Sequence, residues 1–549
     1  MAETKKQEFY ARIPIEEKLG QQQKGRMKVG AQIIEQLSKG VYSNPEMAIK
    51  ELISNSFDAD ATEVLIETKS GFGSISIRDN GHGMDYKDFD NDYVFISKSP
   101  HVGKDEKTKI LNRPVIGRLG IGFLAVSQLC DTLIITSAKR NENTKFVAVL
   151  DFGKFKNKDN RGAEFSDISE YVLTNYEKKN RDESFTHIEL KDLTKPFRNI
   201  LRNIPEPGVK LKKTDDLDFV DVVRKVWNAK DYLEIEKTYG PYWKFVINLA
   251  SIVPVEYMKN GPIKDKRYSE LVKPFKDYTS DLNFKVFFDG MQIKKPYLLP
   301  TPEAKKSGNF SVLTLNNNFD VPGGGRISYR GYVYNQDGGI DVNDLRGLII
   351  RVKNTSVGII SQNFFDYPFL DTMYFRWTFG EIFVDEGLEE AMNIDRATFK
   401  KQDPEYYAFI TDLHDKLRSV VFESVQKRWR IRVKKQIKEL ENYKQDWRQS
   451  SLRNSFGKKF VIKNDTRLNK PVSISLKDAV VLFNPESPIL EKFPRKEREL
   501  LKDVILEATI AREKYHKDQK NQEQLFLKLL ENLAKNYPKT GLKFKYKRL

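Results

Sequence analysis

The sequence predicts a multidomain α/β protein: two mixed α/β domains followed by a helical, basic C-terminal region. Helical and strand patterns alternate over about the first 195 residues, strand patterns resume near residue 281, and the chain beyond residue 403 is mainly charged helix. At 549 residues the chain is too long for one hydrophobic core, because domains average about 150 residues. We therefore predict domains at 1–260, 281–402 and 403–549.

The composition predicts a folded, soluble, cytoplasmic protein. Hydrophobic residues make up 39% of the chain and aromatic residues 12%, enough to build packed cores. No apolar run approaches the roughly 18 residues of a membrane span, and the polar N-terminus lacks the apolar region of a signal peptide. Cys130, the single cysteine, lies in the apolar run FLAVSQLC, where we expect a buried thiol on a helix. One cysteine and five scattered histidines exclude internal disulfides and a zinc cluster.

The net charge of +17 is concentrated near the C-terminus. Residues 401–549 hold 35 Lys and Arg against 20 Asp and Glu, whereas residues 1–400 hold 59 against 57. An anionic partner is therefore expected at the C-terminal region.

The first element is a helix predicted over residues 45–58. Asn44 can cap it, and apolar residues recur along it at helical spacing. Glu51, Asn55 and Asp58 stand at i, i+4 and i+7 in KELISNSFDADA, so they share one face. On an arbitrary helix such a face is usually solvated.

The next element is a strand that ends in ISIRDNGHGMD. It delivers Asp79 to its end, with Gly81, Gly83 and Met84 directly after it. A carboxylate beside bare glycine backbone can accept a hydrogen bond from an exocyclic amine and leave room for a flat ring. Asn-Gly after a strand is also a common hairpin signal.

Two further stretches complete the pattern. VIGRLGIGFLAV is a glycine loop (Gly117, Gly120 and Gly122) that opens into a helix, where free N–H groups can cradle phosphates. Thr186 in FTHIEL begins an alternating strand and offers a hydroxyl. Singly each signal is weak, but the combination in this order is specific. The chain contains no Walker A sequence, the rival phosphate-binding motif.

Together these stretches resemble the four motifs of the GHKL ATPase superfamily, which has the Bergerat fold. VYSNPEMAIKELISNSFDA is similar to the ninety-kilodalton heat-shock chaperones, and its continuation DADAT is similar to MutL. RDNGHGM, GRLGIGF and the Thr of FTHIEL resemble the second, third and fourth motifs. The resemblance extends from about residue 40 to 190 and more weakly from 345 to 399. It implies a Bergerat-type ATPase domain, then a transducer-like domain.

The resemblance also implies roles for individual residues. Glu51 would polarise the attacking water, Asn55 would hold Mg²⁺, and Asp79 would bind the adenine amine with help from Thr186 through water. The other nucleotide-binding residues implied are Asp58, Gly81, Gly83, Met84, Gly117, Gly120 and Gly122. ATP and Mg²⁺ are thus the expected ligands.

Three more implied elements concern closure of the site. The segment at about 84–122 corresponds to a lid over ATP, and Lys98 in its ISKS stretch matches a chaperone lysine; the alternative is a surface lysine. Arg396 in NIDRATF resembles the arginine that reaches the γ-phosphate from the second domain, and Lys353 in IIRVKN is a poorer candidate. The alternative for Arg396 is a surface residue at a helix start.

A basic stretch with interleaved aromatic residues lies in the C-terminal region. It can follow a nucleic-acid backbone, or it can be an amphipathic helix whose aromatic residues pack internally. The basic residues are Lys427, Arg428, Arg430, Arg432, Lys434 and Lys435.

From the resemblance we expect a Mg²⁺-dependent ATPase that works as an ATP-gated homodimer. The first interpretation is a chaperone-like conformational switch acting on a protein client. The alternative is a DNA- or RNA-binding clamp of the MutL or MORC type, in prokaryotic antiviral defence and with a partner encoded in the same operon. No membrane partner is expected.

Overall fold

The structure is a computed structural model, and it confirms the α/β class predicted from the sequence. It describes the following residues: 44–94, 107–117, 122–156, 171–202, 219–228, 239–301, 304, 309–340, 342–369, 372–393, 396–487, 490 and 495–515. Within these ranges, no helix combines the length and the apolar character needed to cross a membrane. The chain divides into two compact units, Met1–Val425 and Gln426–Leu549.

Helix α1 spans Pro45–Asp58, as predicted, and almost its whole circumference is buried. Its apolar side chains enter the main core, but Lys50 and Glu51 are buried as well. Asn44 occupies the N-cap position, as predicted, but its side chain makes no capping hydrogen bond. Its carbonyl oxygen instead accepts a backbone hydrogen bond from Met47 N at 3.1 Å.

The first unit contains a large sheet of eight strands. They are β1 Glu63–Thr68, β2 Ser74–Asp79, β3 Cys130–Ala138, β4 Thr144–Asp151, β5 Tyr171–Glu177, β6 Phe185–Leu193, β7 Lys285–Phe288 and β8 Met291–Ile293. Their order is β5-β4-β3-β6-β2-β1-β7-β8, and every pairing is antiparallel except that of β1 with β7. This order places the ends of β2 and β6 side by side, with Asp79 opposite Thr186.

Two sequence expectations about this sheet need correction. The β7–β8 hairpin, which turns at Asp289-Gly290, falls within the range 281–402 predicted for the second domain, but it belongs to the first sheet. The reason is the parallel pairing of β7 with β1. Cys130 is buried, as expected, but it opens strand β3 and pairs with Leu193, so it does not lie in a helix.

Several helices accompany this sheet. The longer ones are α2 Lys195–Arg202, α3 Phe219–Asn228, α4 Pro241–Ile252 and α5 Ser269–Ser280. Shorter helical turns are Ser70–Phe72, Tyr86–Asp88, Phe89–Tyr93, Gly122–Gln128, Gly153–Lys156 and Lys266–Tyr268. Helix α4 packs against α1 and supplies Tyr242, Trp243 and Phe245 to the core.

A second sheet of five strands follows in the same unit. Its elements are β9 Phe310–Asp320, β10 Arg326–Gln336, a turn at Asn343–Leu345, β11 Gly347–Val352, β12 Thr355–Ser356, α6 Thr372–Trp377 and β13 Thr378–Glu386. The strand order is β12-β11-β13-β10-β9, with β11 parallel to β13. One part of this sheet, including Tyr332 and Phe379, belongs to the core of the first sheet.

A buried ionic cluster joins the second sheet to α4. The Arg351 guanidinium lies 2.6 Å from the Glu381 carboxylate, and neither side chain is exposed. Arg351 also donates to the Ser251 carbonyl oxygen at 2.7 Å. Tyr257 donates to Glu381 at 2.7 Å, and Tyr332 donates to the same carboxylate. Since a buried charge is tolerated only when paired and hydrogen-bonded, this cluster fixes the second sheet against α4.

The structure also revises the C-terminal prediction. Helix α7, Pro404–Lys416, and the helical turn Leu417–Phe422 pack into the core of the second sheet, although they were predicted in the region 403–549. Helix α8, Glu423–Phe456, is followed by a three-stranded sheet and by helix α9, Arg495–Tyr515. The strands are β14 Val461–Asn464, β15 Val472–Ser475 and β16 Val480–Phe483, in the order β14-β16-β15. The C-terminal region is therefore not purely helical.

Candidate nucleotide-binding site

The polar face of α1 is withdrawn from bulk solvent. Glu51 is only 4% exposed, and Asn55 and Asp58 are partly buried. Glu51 lies between two cations: Oε2 is 3.9 Å from Arg396 Nη1, and Oε1 is 3.8 Å from Lys50 Nζ. Among the described residues, Glu51 Oε1 has no hydrogen-bond partner. A buried carboxylate oxygen without a donor is uncommon in folded proteins and requires an explanation, such as a bound water or ion or a catalytic role.

Asp58 holds the start of the glycine loop against α1. Its carboxylate accepts hydrogen bonds from Ile116 N at 2.7 Å and from Gly117 N at 2.5 Å. Burial raises the pKa of Asp58 to about 7, while the two N–H donors and the nearby Arg396 oppose that rise. A Cβ on Gly117 would lie 2.8 Å from Asp58 Oδ2 and 3.8 Å from Asn55 Oδ1. Only a residue without a side chain lets the loop approach α1 this closely.

Asp79 lies at the end of β2 and is 6% exposed. Its Oδ1 accepts from Gly81 N at 3.0 Å and from Thr186 N at 3.2 Å, and its Oδ2 accepts from Ser56 Oγ at 2.8 Å. Burial raises the pKa of Asp79, and these donors lower it in part. A carboxylate offers about four acceptor positions, so one position remains for an outside donor.

The stretch after Asp79 packs closely against the backbone at the end of β3 and just after α1. Gly83 has a φ of +68°, and a Cβ there would lie 1.9 Å from the Ala138 carbonyl oxygen. A Cβ on Gly81 would lie 2.7 Å from the Ala59 carbonyl oxygen. Met84 N donates to Ser137 Oγ at 2.8 Å, which ties the end of this stretch to β3.

Arg396 joins this site from the connection that follows β13. It has a φ of 49° and is 7% exposed. Besides its contact with Glu51, its Nη2 donates to the Ile116 carbonyl oxygen, next to the glycine loop. Lys353 instead lies 3.6 Å from Glu389.

Part of the predicted lid is anchored near the end of α1. Asp60 accepts hydrogen bonds from Ile110 N at 2.9 Å and Leu111 N at 3.0 Å. Arg113 Nη1 donates to the Ala61 carbonyl oxygen at 2.6 Å, and its guanidinium lies 4.7 Å from the centre of the Phe57 ring. Lys98 and Gly120 lie outside the described residues, and Gly122 begins the turn Gly122–Gln128.

Comparison with known proteins identifies this part of the chain. Residues 42–183 match the family model described as histidine kinase-, DNA gyrase B- and HSP90-like ATPase. That range holds α1, the Asp79 stretch and the glycine loop. This segment of the chain therefore matches the GHKL ATPase superfamily.

Individual relatives match parts of the chain. A putative type II restriction enzyme, HgiDII of Herpetosiphon aurantiacus, is 37% identical over 19% of this chain and 16% of its own length. The chaperone protein HtpG of Oceanobacillus iheyensis is 23% identical over 44% of this chain and 41% of its own length. HtpG of Rickettsia canadensis is 29% identical over 30% of each chain. The chain thus covers less than half the length of each of these relatives.

A solved structure was also matched, the ATPase region of Saccharomyces cerevisiae topoisomerase II bound to ICRF-187. It is 12% identical, covers 69% of this chain and 85% of that chain, and has a TM-score of 0.35.

The GHKL residues of this chain fit the ATP and Mg²⁺ that the superfamily implies. Asp79 retains one acceptor position for an amine donor, and Gly117 lets the loop backbone lie close to Asn55 and Asp58. The Asn55 side-chain oxygen is a hard ligand of the kind that Mg²⁺ prefers beside phosphate oxygens. Glu51 Oε1 lacks a hydrogen-bond partner among the described residues, as a group facing a water molecule would.

Sequence reasoning missed several residues of this GHKL site. Lys50, next to Glu51, donates to the Ser356 carbonyl oxygen at 2.9 Å and so ties α1 to the second sheet. Ser56 holds Asp79, and Ser137 holds Met84. Lys50 could have been recognised as unusual, because a lysine amid the apolar positions of a buried helix requires a partner. The two serines gave no such signal.

The predicted nucleic-acid residues lie on α8, apart from these motifs in the chain. Lys427, Arg430, Lys434 and Lys435 are exposed, and Arg428 is partly buried. The side chain of Arg432 lies outside the described set.

The contact of Gly83 with β3 predicts a specific effect of substitution. Gly83→Ala should weaken ATP binding by at least about tenfold, because its Cβ overlaps the Ala138 carbonyl oxygen and displaces the stretch that follows Asp79. Gly71→Ala is the matched control: its φ is +82°, but a Cβ there meets nothing within 4 Å. Gly71→Ala should lower the free energy of unfolding by only about 1–2 kcal/mol, which is the cost of placing a residue with a Cβ in the left-handed region. Equal ATP affinity of the two variants in titration calorimetry would contradict the assignment.

Proposed function

We propose that the chain binds ATP with Mg²⁺, hydrolyses it to ADP and phosphate, and uses the cycle as a conformational switch. The observation that carries this proposal is Glu51, a buried carboxylate with one oxygen free of hydrogen bonds to described residues and the other facing Arg396. The match of residues 42–183 to the GHKL-type ATPase family model supports it. The bound Mg²⁺ would supply charge neutralisation on the phosphates.

Each residue of the site would have a separate role. Asp79 accepts the adenine amine at its remaining acceptor position, with Thr186 beside it. Asn55 provides the metal ligand, and the loop beginning at Gly117 donates backbone N–H groups to phosphate oxygens. Glu51 Oε1 accepts the proton of the attacking water, a contribution of about 10²–10⁴ in rate.

Arg396 is proposed to sense the γ-phosphate. Its guanidinium already borders Glu51 and the Ile116 carbonyl oxygen beside the loop, so a phosphoryl group there would compete for the same cation. Because Arg396 follows β13, its movement would transmit nucleotide state to the second sheet. Lys98 remains a proposed lid contact.

The role of Glu51 predicts a separation of binding from hydrolysis. Glu51→Gln should bind ATP within about threefold of the wild type but lose about 10²-fold or more in kcat, because the amide cannot accept the proton. Glu46→Gln, on the same buried helix, is the control: Glu46 accepts a hydrogen bond from Asn248 at 3.3 Å, which Gln can also accept. Phosphate release and nucleotide binding should be measured side by side. Undiminished hydrolysis by Glu51→Gln would refute the assignment of the base.

The two candidate sensors should behave differently. Arg396→Gln should lower kcat by about tenfold or more, since a cation facing a phosphoryl group stabilises developing charge. Lys353→Gln should change kcat by less than about twofold, because Lys353 lies beside Glu389. A greater loss in Lys353→Gln than in Arg396→Gln would reverse the assignment of the sensor.

We also propose that ATP gates homodimerisation, by favouring one arrangement of subunits through differential binding. The sedimentation mass at micromolar protein should rise when a non-hydrolysable ATP analogue and Mg²⁺ are added to Glu51→Gln. An unchanged mass, with nucleotide shown to be bound, would exclude this gating.

The match to chaperones named HtpG favours a protein client for the switch. The distribution of charge between the two compact units instead favours an anionic partner.

A further inference from the structure

The net charge of the protein resides entirely in its second compact unit. Gln426–Leu549 contains 32 Lys and Arg against 15 Asp and Glu, which accounts for all of the chain's +17. The first unit contains 62 of each sign and is neutral. The boundary between the compact units therefore coincides with a boundary in charge, and it lies beyond the domain boundary predicted at residue 403.

Within this unit the cations cover one face of α8. Lys427, Lys434 and Lys438 stand at i, i+7 and i+11, so they fall within about 40° around the helix axis, and the face extends for about 16 Å. All three are exposed, as are Arg430 and Lys435. No acidic residue occurs from 427 to 438. The first acidic side chain beyond this stretch, Glu439, lies 3.8 Å from Lys435, and both side chains are mostly exposed.

The cations continue beyond the helix to the small sheet of the same unit. Lys463, Arg467 and Lys470 are exposed on β14 and the segment that follows it. Arg467 is 90% exposed although it lies 3.1 Å from Asp465. Positive charge is thus spread over a helix and a sheet, and is not gathered in one pocket. Such a distribution suits an extended polyanion better than a compact anion.

We propose that the unit Gln426–Leu549 binds the phosphate backbone of duplex nucleic acid, with Lys427, Lys434 and Lys438 on its contact face. Duplex DNA carries one charge per about 1.7 Å, so the 16 Å face lies opposite about ten phosphate charges. A membrane-surface helix would instead present a broad apolar face. On the described part of α8 the large exposed apolar side chains are Ile431 and Ile437, set among cations. The proposal names the partner of the proposed ATP-driven switch and rests on that function for its biological meaning.

The test uses the whole 549-residue chain without nucleotide, so a failure to hydrolyse ATP cannot be mistaken for a failure to bind DNA. Affinity for a mixed-sequence DNA duplex of about 30 base pairs is measured by fluorescence anisotropy between about 50 and 200 mM salt. The triple variant Lys427→Gln/Lys434→Gln/Lys438→Gln should bind at least about tenfold more weakly. For this variant, the slope of log affinity against log salt concentration should be less negative by about two to three. Each phosphate contact contributes about −0.9 to that slope, and three contacts are removed.

The matched control removes three exposed lysines from the neutral unit, as Lys266→Gln/Lys273→Gln/Lys276→Gln. This variant has the same change in net charge and should retain affinity within about twofold and an unchanged slope. Thermal melting and ATP hydrolysis of both variants show whether they fold. An equal loss in the control, or a wild-type affinity independent of salt, would overturn the proposal. So would tighter binding to anionic phospholipid vesicles or to an unfolded acidic protein than to the duplex.

Discussion

The burial of charge on α1 is the constraint on which the rest of the first unit depends. Lys50 and Glu51 are adjacent on a helix packed into a core, and an unpaired charge there costs several kcal/mol. Their partners come from elsewhere in the chain, namely the Ser356 carbonyl oxygen and the Arg396 guanidinium. Helix α1 can therefore be buried in this form only when the second sheet and the connection after β13 are in place. This makes the proposed catalytic helix and the second sheet mutually dependent.

The two links between these parts differ in strength. At Arg351 and Glu381 the charges are in direct contact and hydrogen-bonded on several sides, so breaking that link would leave a buried charge uncompensated. At Glu51 the cations stand 3.8–3.9 Å away, and one carboxylate oxygen has no hydrogen bond to described residues. A ligand at the site would therefore perturb the Glu51–Arg396 link long before the Arg351–Glu381 link. The Arg351–Glu381 contact therefore fixes the second sheet, whereas the Glu51–Arg396 contact can change when a ligand binds.

Local patterns predicted much of this arrangement, and long-range pairing accounts for what they missed. The bounds of α1 follow from its apolar spacing, and the position of Asp79 follows from the alternating strand before it. Strands β7 and β8 were expected in the second domain, because parallel pairing of β7 with β1 across more than 200 residues leaves no local signal. Lys50 and Ser356 meet across 306 residues for the same reason. The small sheet after α8 was not predicted, because its strands are only four residues long.

The separation of charge bears on how an ATP site and a polyanion-binding surface can share one chain. ATP and nucleic acid both present phosphates, so a strongly basic nucleotide site would also attract the polymer. At the proposed site in the neutral unit, recognition would instead depend on geometry: a carboxylate with one acceptor position, glycines that leave no room for side chains, and a cation already engaged by Glu51. Exposed charges are screened beyond about 8–10 Å at physiological salt, so the cations of α8 would interact mainly with charged groups close to them. In the proposed mechanism, specificity for ATP would thus rest on contact geometry in one unit, and affinity for nucleic acid on charge density in the other.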